Sequence, residues 1–414
     1  MERGRRRGLA VLLADTFMMF GGFFMLVPLI SIHYVEGLGF AAAAVGIALA
    51  VRQLTQQGLT LFGGALADRW GAKWLICSGM LLRAVGFAGL AWADTFATLL
   101  LMCVIAALGG ALFEAPRSAA IAALTEPADR ARFYSLTGVV GGLGMTIGPL
   151  VGAVLVASSW ALVCFVAAIC FAVGALVTAL LLPAIAVEAE RQPIGRGIGI
   201  AARDRLFVAF TLLLAGYWFM WVQLSISLPL AAQRFAPLEV TTSWGTWRVG
   251  GGASVYAVNA GLTVVLQYPV LAIAGRFLRP LPIITLGAGL MAAGLAAIAL
   301  ATGMPALLGC IAVFALGAML IQPVQQEITA EMAEPRSLGS YFGFSALALA
   351  FGGGLGNFAG GWLYDLAREW TLPALPWLVF GAAGSIVVVG LLALDRVRGH
   401  AQTAAGTAGQ SATS

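Results

Sequence analysis

Twelve stretches of mostly apolar residues recur along the chain, at about 9–32, 43–66, 74–93, 98–123, 134–156, 160–184, 206–232, 252–274, 282–302, 306–330, 338–362 and 374–394. A helix that crosses a bilayer needs ~20 such residues. Backbone in hydrocarbon must satisfy its own hydrogen bonds within each segment, which leaves helices. The pattern predicts an all-α polytopic membrane protein with twelve transmembrane helices. Composition agrees, with 61% of 414 residues hydrophobic and 10% charged, against ~45–50% and ~25% in a soluble domain. The run "MERGRRRGLAVLL" stays apolar to about Ile32 without a small-residue cleavage site and reads as an uncleaved first span. No room is left for a soluble catalytic domain, and no basic stripe marks a nucleic-acid partner.

Basic residues orient the spans. With the N-terminus in the cytoplasm, 17 Lys and Arg face that side and three, Arg234, Arg248 and Arg368, face the other. Both termini are therefore expected in the cytoplasm. A shift of 208 residues lays "TEPADRARFYSL" (125–136) on "AEPRSLGSYFGF" (333–344), and lays Gly144, Gly148 and Gly152 on Gly352, Gly356 and Gly360. Two pseudo-symmetric six-helix bundles follow, a plan of repeat-built transporters. The first is expected over 1–185, a cytoplasmic linker over 186–204, the second bundle over 205–398 and a disordered tail over 399–414.

Glu327 and Glu331, near the cytoplasmic end of span ten, read as mouth or interface residues, whereas charges deep inside the spans are few and lie in the first half: Asp15, Arg52, Arg83, Glu114 and Arg117. Each costs ~2.5–3.5 kcal/mol to insert, so each invites a functional reading. At ~1.5 Å per residue, Asp15, Arg83 and Arg117 lie about 9–14 Å from the cytoplasmic ends, Glu114 slightly deeper and Arg52 roughly 20 Å in. Asp15 or Glu114 is thus placed to meet Arg83 or Arg117, and Asp15 is not expected to pair with Arg52. Glu114 and Arg117, three apart, share a helix face. Burial favours the protonated form of a carboxyl and a neighbouring cation the ionised one, so a carboxylate that moves between the two loads and unloads a proton. Asp15 and Glu114, with Arg83 and Arg117, are the candidates; the competing reading is a fixed ion pair that holds helices in register.

The second half offers aromatics and amides instead. Tyr217, Trp221, Gln223, Asn259, Gln325 and Asn357, with Arg52 from the first half, are candidate lining residues of a substrate cavity. Such a surface suits drug-like hydrophobic or cationic molecules better than sugars or phosphates. Cys77, Cys103, Cys164, Cys170 and Cys310 sit in apolar segments and read as small buried hydrophobes. His33 and His400 have no ligand partners, and no P-loop occurs. Neither metal, ATP nor another cofactor is expected, and no nucleophile–base set indicates an enzyme.

The loop between spans two and three, "GGALADRWGAK" (63–73), carries Gly64, Asp68, Arg69, Gly71 and Lys73 in a G-x-x-x-D-R-x-G-x-K pattern. A carboxylate such as Asp68 is favoured at the N-terminus of a neighbouring helix. With the span count and the repeat, this loop resembles the major facilitator superfamily. The stretches "PLISIHYVEGLG", "VRQLTQQGL", "LFEAPRSA", "YFGFS" and "GGWLYDL" resemble multidrug efflux proteins of its drug:proton antiporter group. The resemblance implies the major facilitator fold, with Asp68 latched onto the start of span eleven near Gly339 on the cytoplasmic side. It also implies proton-driven export by a monomer in a bacterial-type inner membrane.

In the same group the pattern G-x-x-x-G-P-x-x-G marks antiporters, and Gly144, Gly148, Pro149 and Gly152 match it in span five. Glycines four apart let helices approach closely, and Pro149 interrupts the helix hydrogen bonds. The expected partner of this stripe is span eight of the other half, making a sliding seam between rocking bundles. Two other readings stand beside export of varied drugs: a narrow-specificity metabolite transporter of the same fold, and a non-transporting membrane sensor.

Overall fold

The computed structural model describes residues 2–183, 194–235, 238–242, 245–249, 251–333 and 338–411. Side chains are described for these except 2–3, 61–70, 127–128, 130–131, 135, 194–198, 238–249, 253, 338–340 and 399–411. The first half comprises α1 (Glu2–Ser31), α2 (Ala42–Trp70), α3 (Ala72–Gly89), α4 (Phe96–Leu124), α5 (Pro127–Val156) and α6 (Trp160–Leu181). A short helix, α7 (Ile194–Arg203), lies within the expected linker. The second half runs through α8 (Arg205–Trp221), its continuation α9 (Ser227–Ala232), α10 (Gly251–Phe277) and α11 (Pro280–Ala297). It ends with α12 (Met304–Met332), α13 (Leu338–Glu369) and α14 (Leu375–Ser411).

Among the described residues eleven helical segments are long and apolar enough to cross a membrane. The twelfth span of the sequence reading is α2, whose last ten side chains lie outside the description. Helix starts follow local chemistry. Thr95 and Thr98 form a capping box at α4, the Ser159 hydroxyl accepts from the Leu162 N–H at α6, and Asp204 Oδ1 accepts from the N–H groups of Leu206 and Phe207 at α8. Each cap meets amides that the first turn of a helix leaves unpaired.

The packing repeats between the halves. α1 packs on α5 and α6, α2 on α4, and α3 on α4 and α6. Correspondingly, α8 packs on α13 and α14, α10 on α12, and α11 on α12 and α14. Each half has its own hydrophobic core, around Leu12, Met80, Phe113 and Phe171 in the first and Phe210, Met291, Phe314 and Phe380 in the second. Contact between the halves runs along α2–α13 and α5–α10, which are again symmetry equivalents.

The fold is the expected all-α one, with one short addition outside the spans: β1 (Leu238–Thr242) and β2 (Gly245–Val249) form an antiparallel hairpin between α9 and α10, pairing Leu238 with Val249 and Thr242 with Gly245. Val240, Thr241, Thr242, Thr246 and Trp247 favour strand, and the segment lies outside the apolar spans. Beyond the last span, α14 continues to Ser411.

Candidate transport pathway

The buried charges of the first half divide into two clusters. In the first, Asp15 on α1 is fully enclosed, and its Oδ2 accepts a 2.5 Å hydrogen bond from the Thr178 hydroxyl on α6. Its Oδ1 meets no hydrogen-bond partner among the described residues. Arg117 on α4 donates through Nη2 to Glu114 Oε2 at 3.1 Å and through Nη1 to Thr16 Oγ1 at 3.0 Å. The expected Glu114–Arg117 pair is present, and Asp15 reaches it through its chain neighbour Thr16. A dry carboxyl with one unfilled oxygen, beside an arginine that already holds a second carboxylate, is chemically able to take and pass a proton.

Arg83 joins the other cluster instead. Its Nη2 donates to Gln56 Oε1 at 2.9 Å and its Nε to the Ala106 carbonyl at 3.4 Å, and Met19 Sδ lies 3.1 Å from Nη1. Arg52 donates to the same Gln56 Oε1 at 3.2 Å and to Gln53 Oε1 at 2.9 Å. Both guanidiniums lie over the Phe23 ring, at 4.9 and 4.8 Å from its centroid, and so stand no more than about 10 Å apart. Like charges at that distance repel by about 2 kcal/mol at an effective dielectric of ~20. The depth count separates Arg52 from Arg83, but it follows the backbone, whereas long side chains carry their heads well away from their own turn. Gln53, Gln56 and Phe23 are missing from the sequence reading; four-residue spacing of Arg52 and Gln56 on one helix face was the available signal.

The second-half candidates also divide. Gln325 lines a cavity of about 190 Å³ with Gln57, Trp218, Gln326, Thr329, Phe342, Ser345, Ala346 and Leu349. Gln223 is committed elsewhere: its amide donates to the Phe219 and Gly356 carbonyls and accepts from the Ser227 hydroxyl, which fastens α8 to α13. Asn357 donates to the Gly353 carbonyl, and its own carbonyl lies against Gly46 of α2. Tyr217 is buried in the second core, Trp221 packs edge-on to Trp218, and Asn259 is half-buried on α10. Of these residues only Gln325 lines that cavity.

The glycine stripe has a different partner from the one expected. A Cβ at Gly144 would lie 2.8 Å from the Gly21 N, one at Gly148 would lie 2.6 Å from the Gly21 O, and one at Gly152 would overlap the Met25 carbonyl. All three contacts are with α1 of the same half. Gly352, Gly356 and Gly360 meet Ala215, Phe219 and Gln223 of the α8 segment in the same way. The stripes are seams within each bundle, because their faces turn toward the helix that the repeat makes equivalent. Between the halves, other glycines carry the approach. A Cβ at Gly46 would lie 2.5 Å from Asn357 O, and one at Gly361 would overlap the Ala42 carbonyl.

Of the loop motif, Gly71 adopts φ +80° between α2 and α3, a left-handed conformation that favours glycine. Lys73 lies over the Trp74 ring. Gly64, Asp68 and Arg69 fall among residues whose side chains lie outside the description, so the Asp68 latch does too. At the opposite end of the bundles the halves are joined by contacts that sequence reasoning did not anticipate. Asp365 on α13 accepts hydrogen bonds from the Ala42 and Ala43 N–H groups at 3.0 and 2.7 Å, capping the start of α2. Beside it Tyr364 donates to Glu36 Oε1 at 3.0 Å, and the Ser31 hydroxyl donates to the Ser225 carbonyl at 3.2 Å.

Residues 12–277 match the family described as Major Facilitator Superfamily. The chain belongs to this superfamily. Among its relatives in the family, the Multidrug resistance protein MdtH of Proteus mirabilis is 40% identical over 391 residues, covering 94% of this chain and 95% of that protein. The protein of the same name from Edwardsiella ictaluri is 40% identical over 386 residues, covering 93% and 94%. Solved structures share the fold. A POT family transporter in complex with a thioalcohol-conjugated peptide superposes with a TM-score of 0.79 at 14% identity, over 94% of this chain and 96% of that one. The nucleoside transporter NupG gives 0.75 at 16% identity, over 93% and 98%. The two equivalent helical bundles are thus the fold that these solved transporters share.

Proposed function

We propose that the chain is a secondary active multidrug efflux transporter, exporting drug-like hydrophobic and cationic compounds in exchange for protons by alternating access. It works as a transporter and not an enzyme, as a monomer in the inner membrane, with both termini in the cytoplasm. The identity of about 40% along nearly the whole chain to proteins named for multidrug resistance supports the substrate class. The observation that carries proton coupling is Asp15, an enclosed carboxyl whose Oδ1 meets no partner among the described residues, beside Thr16, which accepts from the Arg117 that pairs with Glu114. The Asp365 cap closes the end away from the termini, which supports a state open toward the cytoplasm, and Asp68 would close the other end in the alternate state.

The test is purified protein in liposomes under an imposed pH gradient, following ethidium efflux and proton counterflow together. Efflux that accelerates with the gradient and is matched by proton movement is expected. Efflux indifferent to the gradient overturns the exchange mechanism.

A further inference from the structure

We infer that Trp218 and Gln325 form a hydrogen-bonding subsite for a neutral carboxamide, with the indole N–H donating to its carbonyl and Gln325 Oε1 accepting from its N–H. The inference rests on the transport reading and adds to it a substrate class that carries no charge.

The 190 Å³ cavity is lined from both halves, by Gln57 of α2 and by residues of α8, α12 and α13. None of its lining residues is ionisable, so nothing in the wall answers a charged group. Its unfilled polar atoms define the ligand instead. Trp218 on α8 is 7% exposed, and its Nε1 meets no hydrogen-bond partner among the described residues. Gln325 Oε1 on α12 is likewise enclosed without one. A buried donor and a buried acceptor thus belong to the wall of one cavity, and each costs free energy until a partner fills it.

The neighbouring hydroxyls are spent elsewhere. Thr329 donates to the Gln325 backbone carbonyl at 2.8 Å and Ser345 to the Phe342 carbonyl at 2.9 Å, each within its own helix. The indole is held in place by other rings, its centroid 4.8 Å from that of Tyr217 and 5.3 Å from that of Trp221. A donor fixed in this way loses little freedom on binding. A carboxamide carries an acceptor and a donor side by side, the complement of this pair, whereas a ketone offers the acceptor alone. Trp218 and Phe342 give its apolar body aromatic walls. Gln57 brings the first half to the same cavity, so a ligand seated here touches both of the bundles that alternating access moves. A purely structural role for Trp218 and Gln325, as packing within the second half, makes binding indifferent to whether the ligand carries an N–H.

The experiment is equilibrium binding of 2-naphthamide and 2-acetylnaphthalene to the full-length protein in phosphatidylcholine nanodiscs at neutral pH, with empty nanodiscs subtracted. Both probes are neutral and share ring and size; a methyl in the ketone replaces the amino group of the amide. The ketone is the more apolar, so partition alone favours it. The amide is expected to bind at least about fivefold more tightly, the scale of one net hydrogen bond. In Gln325→Leu that preference is expected to vanish. In Trp218→Phe both probes, which share the carbonyl, are expected to weaken by about fivefold. Equal or weaker binding of the amide to the unmodified protein overturns the subsite, and this comparison does not depend on any variant folding. A preference that survives Gln325→Leu, or undiminished binding of both probes to Trp218→Phe, also overturns it. Ethidium efflux under a pH gradient separates the two readings: no efflux with an intact amide preference overturns transport alone, and intact efflux with no preference overturns the subsite alone.

Discussion

At Asp15 one carboxylate oxygen takes the Thr178 hydroxyl and the other meets no partner among the described residues, so a proton on Oδ1 would neutralise the buried charge without breaking the Thr178 bond. Asp15→Asn keeps an acceptor for Thr178 and should insert normally while losing gradient-driven efflux, measured with the liposome assay. Glu114→Gln, which cancels the charge partner of Arg117, is expected to do the same. If both retain normal coupling, the proton travels by other groups. The glycines make a second residue-scale prediction. Gly152→Ala would place a methyl on the Met25 carbonyl, and overpacking of this kind costs about 1–3 kcal/mol. At Gly142 a Cβ meets nothing within 4 Å, so Gly142→Ala should not destabilise and should gain up to about 1 kcal/mol of helix propensity. Thermal unfolding of the two variants in detergent compares them directly. At this scale the sequence made the charges plain, because any charge in an apolar span stands out. The amides did not stand out: Gln56 is decisive for Arg52 and Arg83, yet glutamines also occur at span ends and mouths, where they mean little.

At the scale of elements, the α2–α13 contact is fastened where Asp365 meets two free amides at the start of α2. Such caps are worth about 0.5–2 kcal/mol. Asp365→Ala should therefore shift the population toward a state open at that end by roughly fivefold, taking ~1 kcal/mol. Faster reaction of Ser225→Cys with an impermeant maleimide added from outside would report it, and unchanged labelling would show that the cap does not hold the closure. Helix positions were readable from apolar length to within a few residues, as α4 and α6 show. The partner of the α5 stripe was not, since a four-residue glycine period identifies a face and says nothing about which helix lies against it. The hairpin at 238–249 was hidden for a related reason: twelve residues between two spans carry no apolar period long enough to weigh against a loop.

For the whole molecule, the 208-residue repeat carried most of the architecture, because the main helix packings of one half have counterparts in the other. What the repeat cannot supply is asymmetry: the buried charges Asp15, Arg52 and Arg83 all lie in the first half. Sequence alone showed this imbalance but not that two of the cations stand together. A last consequence concerns α13, which turns Gly352, Gly356 and Gly360 toward α8 and Gly353, Gly354 and Gly361 toward α2. The two rows are interleaved on one rod, so their separation is a matter of angular phase. Each residue advances a helix by about 100°. One alanine inserted between Phe351 and Gly352 would rotate everything that follows, the Asp365 cap included, out of phase with both neighbours at once. That insertion should cost more in folded yield, measured by size-exclusion chromatography, than alanine at any one of these glycines. Length in α13 is therefore more tightly constrained than composition.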